Sequence, residues 1–95
     1  MRTLILISMV LGLANGWSAL YAAESAYSRQ QVAADQFYAA GDYQEAMKQY
    51  LPLAKKGDSF SQYRISFMYL EGQGREPDLV EAYAWAALAA QNHQD

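Results

Sequence analysis

Two pairs of carboxylates have spacing that could do chemistry: Asp42 with Glu45, and Asp78 with Glu81. Two such groups on one turn could divide acid and base roles if their surroundings pushed their pKa values apart. The pairs, however, are copies of each other, 36 residues apart. Each is followed by the same alanines, Ala46 and Ala54 in the first copy and Ala82 and Ala90 in the second. An Asp with a Glu three residues on, just before an apolar periodic run, is the pattern of a capping box at a helix start. The carboxylates are therefore expected to accept from free helix amides rather than to move substrate protons. Loss of such a cap costs about 0.5–2 kcal/mol.

The remaining candidates for chemistry are few. His93 is the single histidine and lies near the chain end, with no Cys to join it in a metal site. It has no serine partner in a rigid setting either, so it reads as a solvated tail residue. Gly72-Gln73-Gly74 follows no strand and precedes no Gly-Lys-Ser/Thr, so it is not a phosphate loop. No cofactor and no metal are expected, and no catalytic residue is assigned. The formal charge of −3 and the lack of a basic stripe exclude nucleic acid as a partner. Tyrosine is abundant, and Tyr38, Tyr43, Tyr50, Tyr63 and Tyr69 fall in or beside the repeated pattern. Most are expected to pack between helices; the alternative is that one or two serve at a groove surface as contacts to a peptide.

The elements that would position these residues are helical. Apolar or small residues at Ala26, Ala33, Ala34, Phe37 and Ala40 predict a first helix over about 26–40. Gly41 ends it as a C′ glycine. A second helix carries Tyr43, Ala46, Met47, Tyr50, Leu53 and Ala54 and closes at Lys55, Lys56 and Gly57, lysines suiting a helix C-terminus. Pro52 inside it predicts a bend or an early end. A third helix starts at Asp58 or Ser59 and runs through Phe60, Tyr63, Ile65, Phe67, Met68, Tyr69 and Leu70. The Gly72–Pro77 loop precedes an alanine-rich fourth helix holding Ala82, Trp85, Ala89 and Ala90. Nothing alternates long enough for a sheet. The class expected is all-α, with about two helix–turn–helix hairpins over 26–57 and 58–92, a helical domain spanning 24–95.

The hairpins repeat with a shift. Ala33, Ala34 and Phe37 recur as Ile65, Ser66 and Tyr69 after 32 residues, against 36 for the capping pair. The second hairpin therefore carries a loop four residues longer. Such self-similarity marks stacked helical units, which work by presenting surface to other molecules. Stacks of this kind need about three units to bury a continuous core. That predicts a partner for the fourth helix, either a second copy or another protein.

Residues 1–23 read as a targeting segment. Arg2 precedes the uncharged apolar run Leu4–Ala14, which has the length of a signal-peptide core and is short for a membrane span. Cleavage is expected after Gly16 or near Ala22 and Ala23, giving an exported, periplasmic or secreted domain. The alternative is an uncleaved anchor, since Thr3–Ala23 carries no charge. With no cysteine in the chain, disulfide staples and a lipid-modified N-terminus are excluded.

From Ser61 to Ala90 the sequence resembles the Sel-1-like repeat, a branch of the tetratricopeptide superfamily. The matching positions are Tyr69, Gly72, Gly74, Asp78, Ala82, Trp85, Ala89 and Ala90, while Ser61, Ile65 and Ser66 stand where the family has Ala, Leu and Gly. The earlier copy is more degenerate, and its Gly41-Asp42-Tyr43 junction looks like the ordinary tetratricopeptide turn. The resemblance implies an α-solenoid of antiparallel hairpins that binds proteins or peptides and assembles complexes, often at membranes. First helices line the concave face in that superfamily, which singles out Tyr63 and Arg64 as partner contacts. Some exported relatives are linked to β-lactam hydrolysis, but their cysteine-paired repeats and any Ser-x-x-Lys are absent here. The reading is a non-catalytic adaptor. Its alternatives are a membrane-tethered subunit of an envelope complex or a small hydrolase.

Overall fold

Four helices make up the computed structural model, which describes residues 29–93: α1 over 29–39, α2 over Tyr43–Lys55, α3 over Ser59–Glu71 and α4 over Leu79–Asn92. Among the described residues there is no strand, so the all-α expectation holds. The expected targeting segment, its cleavage sites and the Ala26 start of the first helix lie outside the described residues.

The first two junctions are built alike from a Gly-Asp pair. Gly41, at φ +80°, donates to the Tyr38 carbonyl at 3.0 Å, and Asp42 N–H donates to Phe37 at 2.9 Å. Gly57 and Asp58 repeat this on Ala54 and Leu53, at 3.0 and 3.1 Å. Both turns satisfy carbonyls left over at a helix end, and both need a residue that tolerates positive φ.

The caps that follow differ, and one expectation is overturned. Asp58 and Asp78 have extended backbones, and their carboxylates accept from the Ser61 and Glu81 N–H at 3.0 and 3.1 Å. Asp42 makes no side-chain cap. Its backbone sits at φ −86°, ψ 72° rather than in the extended range of Asp58 and Asp78, so the carboxylate is not aimed at the first turn. Glu45 pairs with Lys48 at 2.9 Å instead. Asp78→Ala is thus expected to cost about 1 kcal/mol, while Asp42→Ala stays within about 0.5 kcal/mol of the parent. Urea melts of the two variants make the comparison, and equal losses would contradict it.

Pro52 neither stops α2 nor shortens it. The helix continues to Lys55 with Pro52 on its exposed side. There the carbonyl that loses its amide partner can be met by water.

The core gathers Ala34, Ala46, Tyr50, Ala54, Ile65 and Met68, with Phe37, Tyr43, Tyr69 and Trp85 packed against it from the edge. Ala46 is fully buried, as are Tyr50 and Leu53. Trp85, expected to be buried between hairpins, is only half-buried. Its truncation is therefore worth less than the about 3–5 kcal/mol of a buried tryptophan. Ala82 and Ala89 face inward as expected, but Ala90 is exposed, a second correction on α4.

The loop over 72–78 is four residues longer than its counterpart over 40–42, and the extra length lies back on the first junction. Tyr38 Oη donates to Gln73 Oε1 at 2.8 Å, and a Cβ on Gly74 would stand 2.8 Å from the Tyr43 Cβ. The loop closes when Asp78 N–H reaches the Tyr69 carbonyl at 2.9 Å. At the far end Asn92 donates to Gln62 Oε1 at 3.0 Å, and Gln62 Nε2 donates to the Ala54 carbonyl at 2.9 Å. These two tie points make α3 and α4 antiparallel, with Gln62 linking the ends of α2 and α4.

Candidate functional site

Helix α3 wears its polarity inside out. Its buried side holds Ser61, Gln62 and Ser66 beside Ile65 and Met68, while Phe60, Tyr63, Phe67 and Leu70 are exposed. The exposed four follow i, i+3, i+7, i+10 spacing, one stripe along the helix. The buried polar groups are all satisfied: Ser61 by Asp58, Ser66 by the Tyr63 carbonyl at 2.6 Å, Gln62 as described. Small polar residues thus let α3 fit closely into the core, and its larger apolar side chains are left outside.

Helix α4 continues that surface. Leu79, Tyr83, Ala86 and Ala90 recur at i, i+4, i+7, i+11, with Leu79 68% and Tyr83 78% exposed. The two stripes meet in a groove of about 490 Å³, where Phe60 and Tyr63 face Ala86, Ala89 and Ala90, and His93 stands at its end. Ala90, exposed, is among the residues that line this groove. The side chains of the two stripes are uncharged, and charge stands only at their border, Arg64 beside Phe60 and Glu71 one turn on from Phe67.

Tyr63 and Arg64, expected to act together, part company. Tyr63 is 64% exposed and lines the groove. Arg64, one residue on and about 100° around the helix, lies over the Tyr38 ring at 4.4 Å and the Phe60 ring at 5.3 Å. Arg64 therefore joins α3 to α1 by cation–π contact, worth about 0.5–1 kcal/mol at such partly exposed places. Of the other expected structural positions, Gly41, Gly72 and Gly74 take positive φ, while Phe37, Ala46, Tyr69 and Ala82 lie in or against the core.

Behind Arg64 the tyrosines expected between helices form a cluster, whose link to Asp35 the sequence did not reveal. Tyr38 meets Tyr43 and Tyr50 edge-on at 5.3 and 6.5 Å, and the buried Tyr50 hydroxyl donates to Asp35. Burial pushes the Tyr50 phenol above its ordinary range, the Asp35 hydrogen bond and charge push it further, and Arg64 opposes them. The phenol thus keeps its proton, which disqualifies it as a nucleophile or base at neutral pH. Asp35 and Tyr50 are 15 residues apart on different helices, so no local spacing announces the pair.

The same shift predicts a pH dependence. An unfolded tyrosine ionises near pH 10, and the folded Tyr50 at a higher pH. Its contribution is therefore complete below about pH 10 and is lost as the pH rises toward the folded value. Tyr50→Phe should show a shallower alkaline fall in urea-melt stability from about pH 9 upward. Parallel falls in the two proteins would refute the placement.

Among the described residues no group of three or more His, Asp or Glu is arranged to hold a metal ion. No described helix is long and apolar enough to cross a membrane. Comparison with protein-family models, curated proteins and solved structures gave no match for this chain.

Proposed function

We propose that the chain is an exported, non-catalytic interaction module of the Sel-1-like type, a short α-solenoid of two antiparallel hairpins that assembles with a protein partner. One observation carries this reading: α3 buries serines and a glutamine while an uncharged aromatic face on α3 and α4 stands open. Monomeric soluble proteins rarely expose large contiguous apolar patches unless something docks there. The paired carboxylates support the non-catalytic side of the reading, since Asp78 caps a helix and Glu45 pairs with Lys48. Export rests on the apolar run after Arg2.

Site-specific photocrosslinking in cells tests the proposal. A photoreactive phenylalanine analogue at Tyr63 or Tyr83 should give discrete adducts, and the same analogue at Lys48 should give none. Equal labelling at all three positions would remove the basis for the proposal. Intact-mass analysis of the exported chain separates a cleaved N-terminus from a retained one.

A further inference from the structure

We infer that the open α3–α4 face is a homodimer interface, in which a second copy covers it face to face through a twofold axis. This inference rests on the interaction reading above and names the partner.

The first ground is area. Phe60, Tyr63 and Phe67 are 41, 64 and 37% exposed, and Leu70, Leu79 and Tyr83 are 48, 68 and 78% exposed. With about 200 Å² for an aromatic side chain and somewhat less for leucine, these leave about 650 Å² per copy. A face-to-face pair would cover about 1,300 Å², at the lower end of the about 1,200–2,000 Å² of stable interfaces.

The second ground is self-complementarity. A twofold interface places one patch against itself, so any charge on it would meet its own kind or be buried alone. The stripe residues themselves are uncharged, and the two charges at their border, Arg64 beside Phe60 and Glu71 beyond Phe67, are of opposite sign. The stripes offer bulk on α3 (Phe60, Tyr63, Phe67) and, on the C-terminal half of α4, small residues (Ala86, Ala90), with Leu79 and Tyr83 bulky at its start. A dyad that sets α3 of one copy over α4 of the other therefore fits large side chains into a shallow groove.

The third ground excludes the competing arrangement. In head-to-tail stacking this face would meet the outer surface of α1 and α2. The exposed positions there include Gln36, Gln44, Lys48 and Lys55. Covering them with aromatics would strip water from Lys55 and from the exposed Lys48–Glu45 ion pair with no new partner in return. Filament growth is thereby disfavoured, and the apolar face closes on itself.

Sedimentation equilibrium of the full 95-residue chain, over about 1–100 μM, is the test. The expected result is a monomer–dimer equilibrium with no larger species. Tyr63→Glu/Tyr83→Glu should raise the dimer dissociation constant at least about 100-fold, with helicity by circular dichroism unchanged. Lys48→Glu should leave the constant unaltered. The chain has no cysteine, so single cysteines placed at Tyr63, Phe67 or Tyr83 report directly. The one nearest the axis should form a disulfide-linked dimer, and Lys48→Cys should not. A monomer at 100 μM overturns the proposal, and so does a dimer that survives the double glutamate variant, since residues 1–28 or another surface would then hold it. A monomer in solution combined with Tyr63 crosslinks in cells would sink the dimer alone and leave the interaction reading standing.

Discussion

Tyr50→Ala is expected to leave the chain largely unfolded at 25 °C. Tyr50 is fully buried at the centre of the core, against Ala34, Ala46, Ile65 and Met68. Removing a buried aromatic ring costs about 3–5 kcal/mol in transfer and cavity terms. The hydroxyl adds to this, because Asp35 loses its donor and becomes a half-buried carboxylate without that bond. A domain of this size has about 3–10 kcal/mol of total stability. The loss therefore takes most of it. Circular dichroism should show a broad, weakly cooperative melt in place of a sharp one. Tyr50→Phe keeps the ring and should cost about 1–2 kcal/mol, so the pair of variants separates packing from hydrogen bonding. A sharp melt of Tyr50→Ala near the parent temperature would refute the central position of this residue.

Gly74→Ala is expected to cost about 2–4 kcal/mol, against about 1 kcal/mol for Gly41→Ala. The two glycines have nearly the same backbone, φ +79° and +80°, so the conformational penalty is common to both. They differ in surroundings. A Cβ on Gly41 meets nothing within 4 Å, whereas one on Gly74 comes 2.8 Å from the Tyr43 Cβ and 3.3 Å from the Gln44 amide nitrogen. Backbone and a core-packed tyrosine cannot yield cheaply, so the loop must lift. Lifting it strains the Tyr38–Gln73 hydrogen bond at the same time. Thermal melts of both variants decide the matter, and equal shifts would show that the loop does not lie on the α1–α2 junction as described.

Much of this fold is legible in the sequence wherever one short segment settles the outcome. Asp78 and Glu81 sit three apart before an apolar run, and the cap is there. The four-residue difference between the repeat offsets is the extra loop length, and Gly72 and Gly74 adopt the backbone that their type allows. The failures concern groups whose state depends on a distant segment. Asp42 has the same local sequence as a cap, but its backbone leaves the extended range that aims the carboxylates of Asp58 and Asp78 at their helices. Trp85 is large and apolar, yet nothing local states how much of it a neighbouring helix will cover. The Asp35–Tyr50 and Gln62–Asn92 links join separate helices and leave no periodic trace.

The candidate interface was half legible for a related reason. Tyr63 was singled out, but Phe60, Phe67 and Leu70 read as ordinary apolar positions of a helix. Apolar side chains occupy both the buried and the exposed stripe of α3, so periodicity alone does not select a face. The signal that would have helped is the run Ser61, Gln62, Ile65, Ser66, Tyr69. It traces a second stripe rich in small and hydrogen-bonding residues, suited to close approach rather than to solvent.

The short reach of the internal ties also sets how the chain finds its shape. Among the described residues no side-chain hydrogen bond spans more than the 35 residues from Tyr38 to Gln73. Low contact order of this kind goes with barriers crossed in microseconds to milliseconds. The slowest closure to wait for is the laying down of the 72–78 loop, since its Tyr38–Gln73 bond has the longest span of the side-chain ties. Refolding should therefore be single-exponential, and Gly74→Ala should slow it more than Gly41→Ala does. A chain that folds this quickly spends little time with its aromatic stripe exposed beside an unfinished core, which limits misassembly before the correct surface exists.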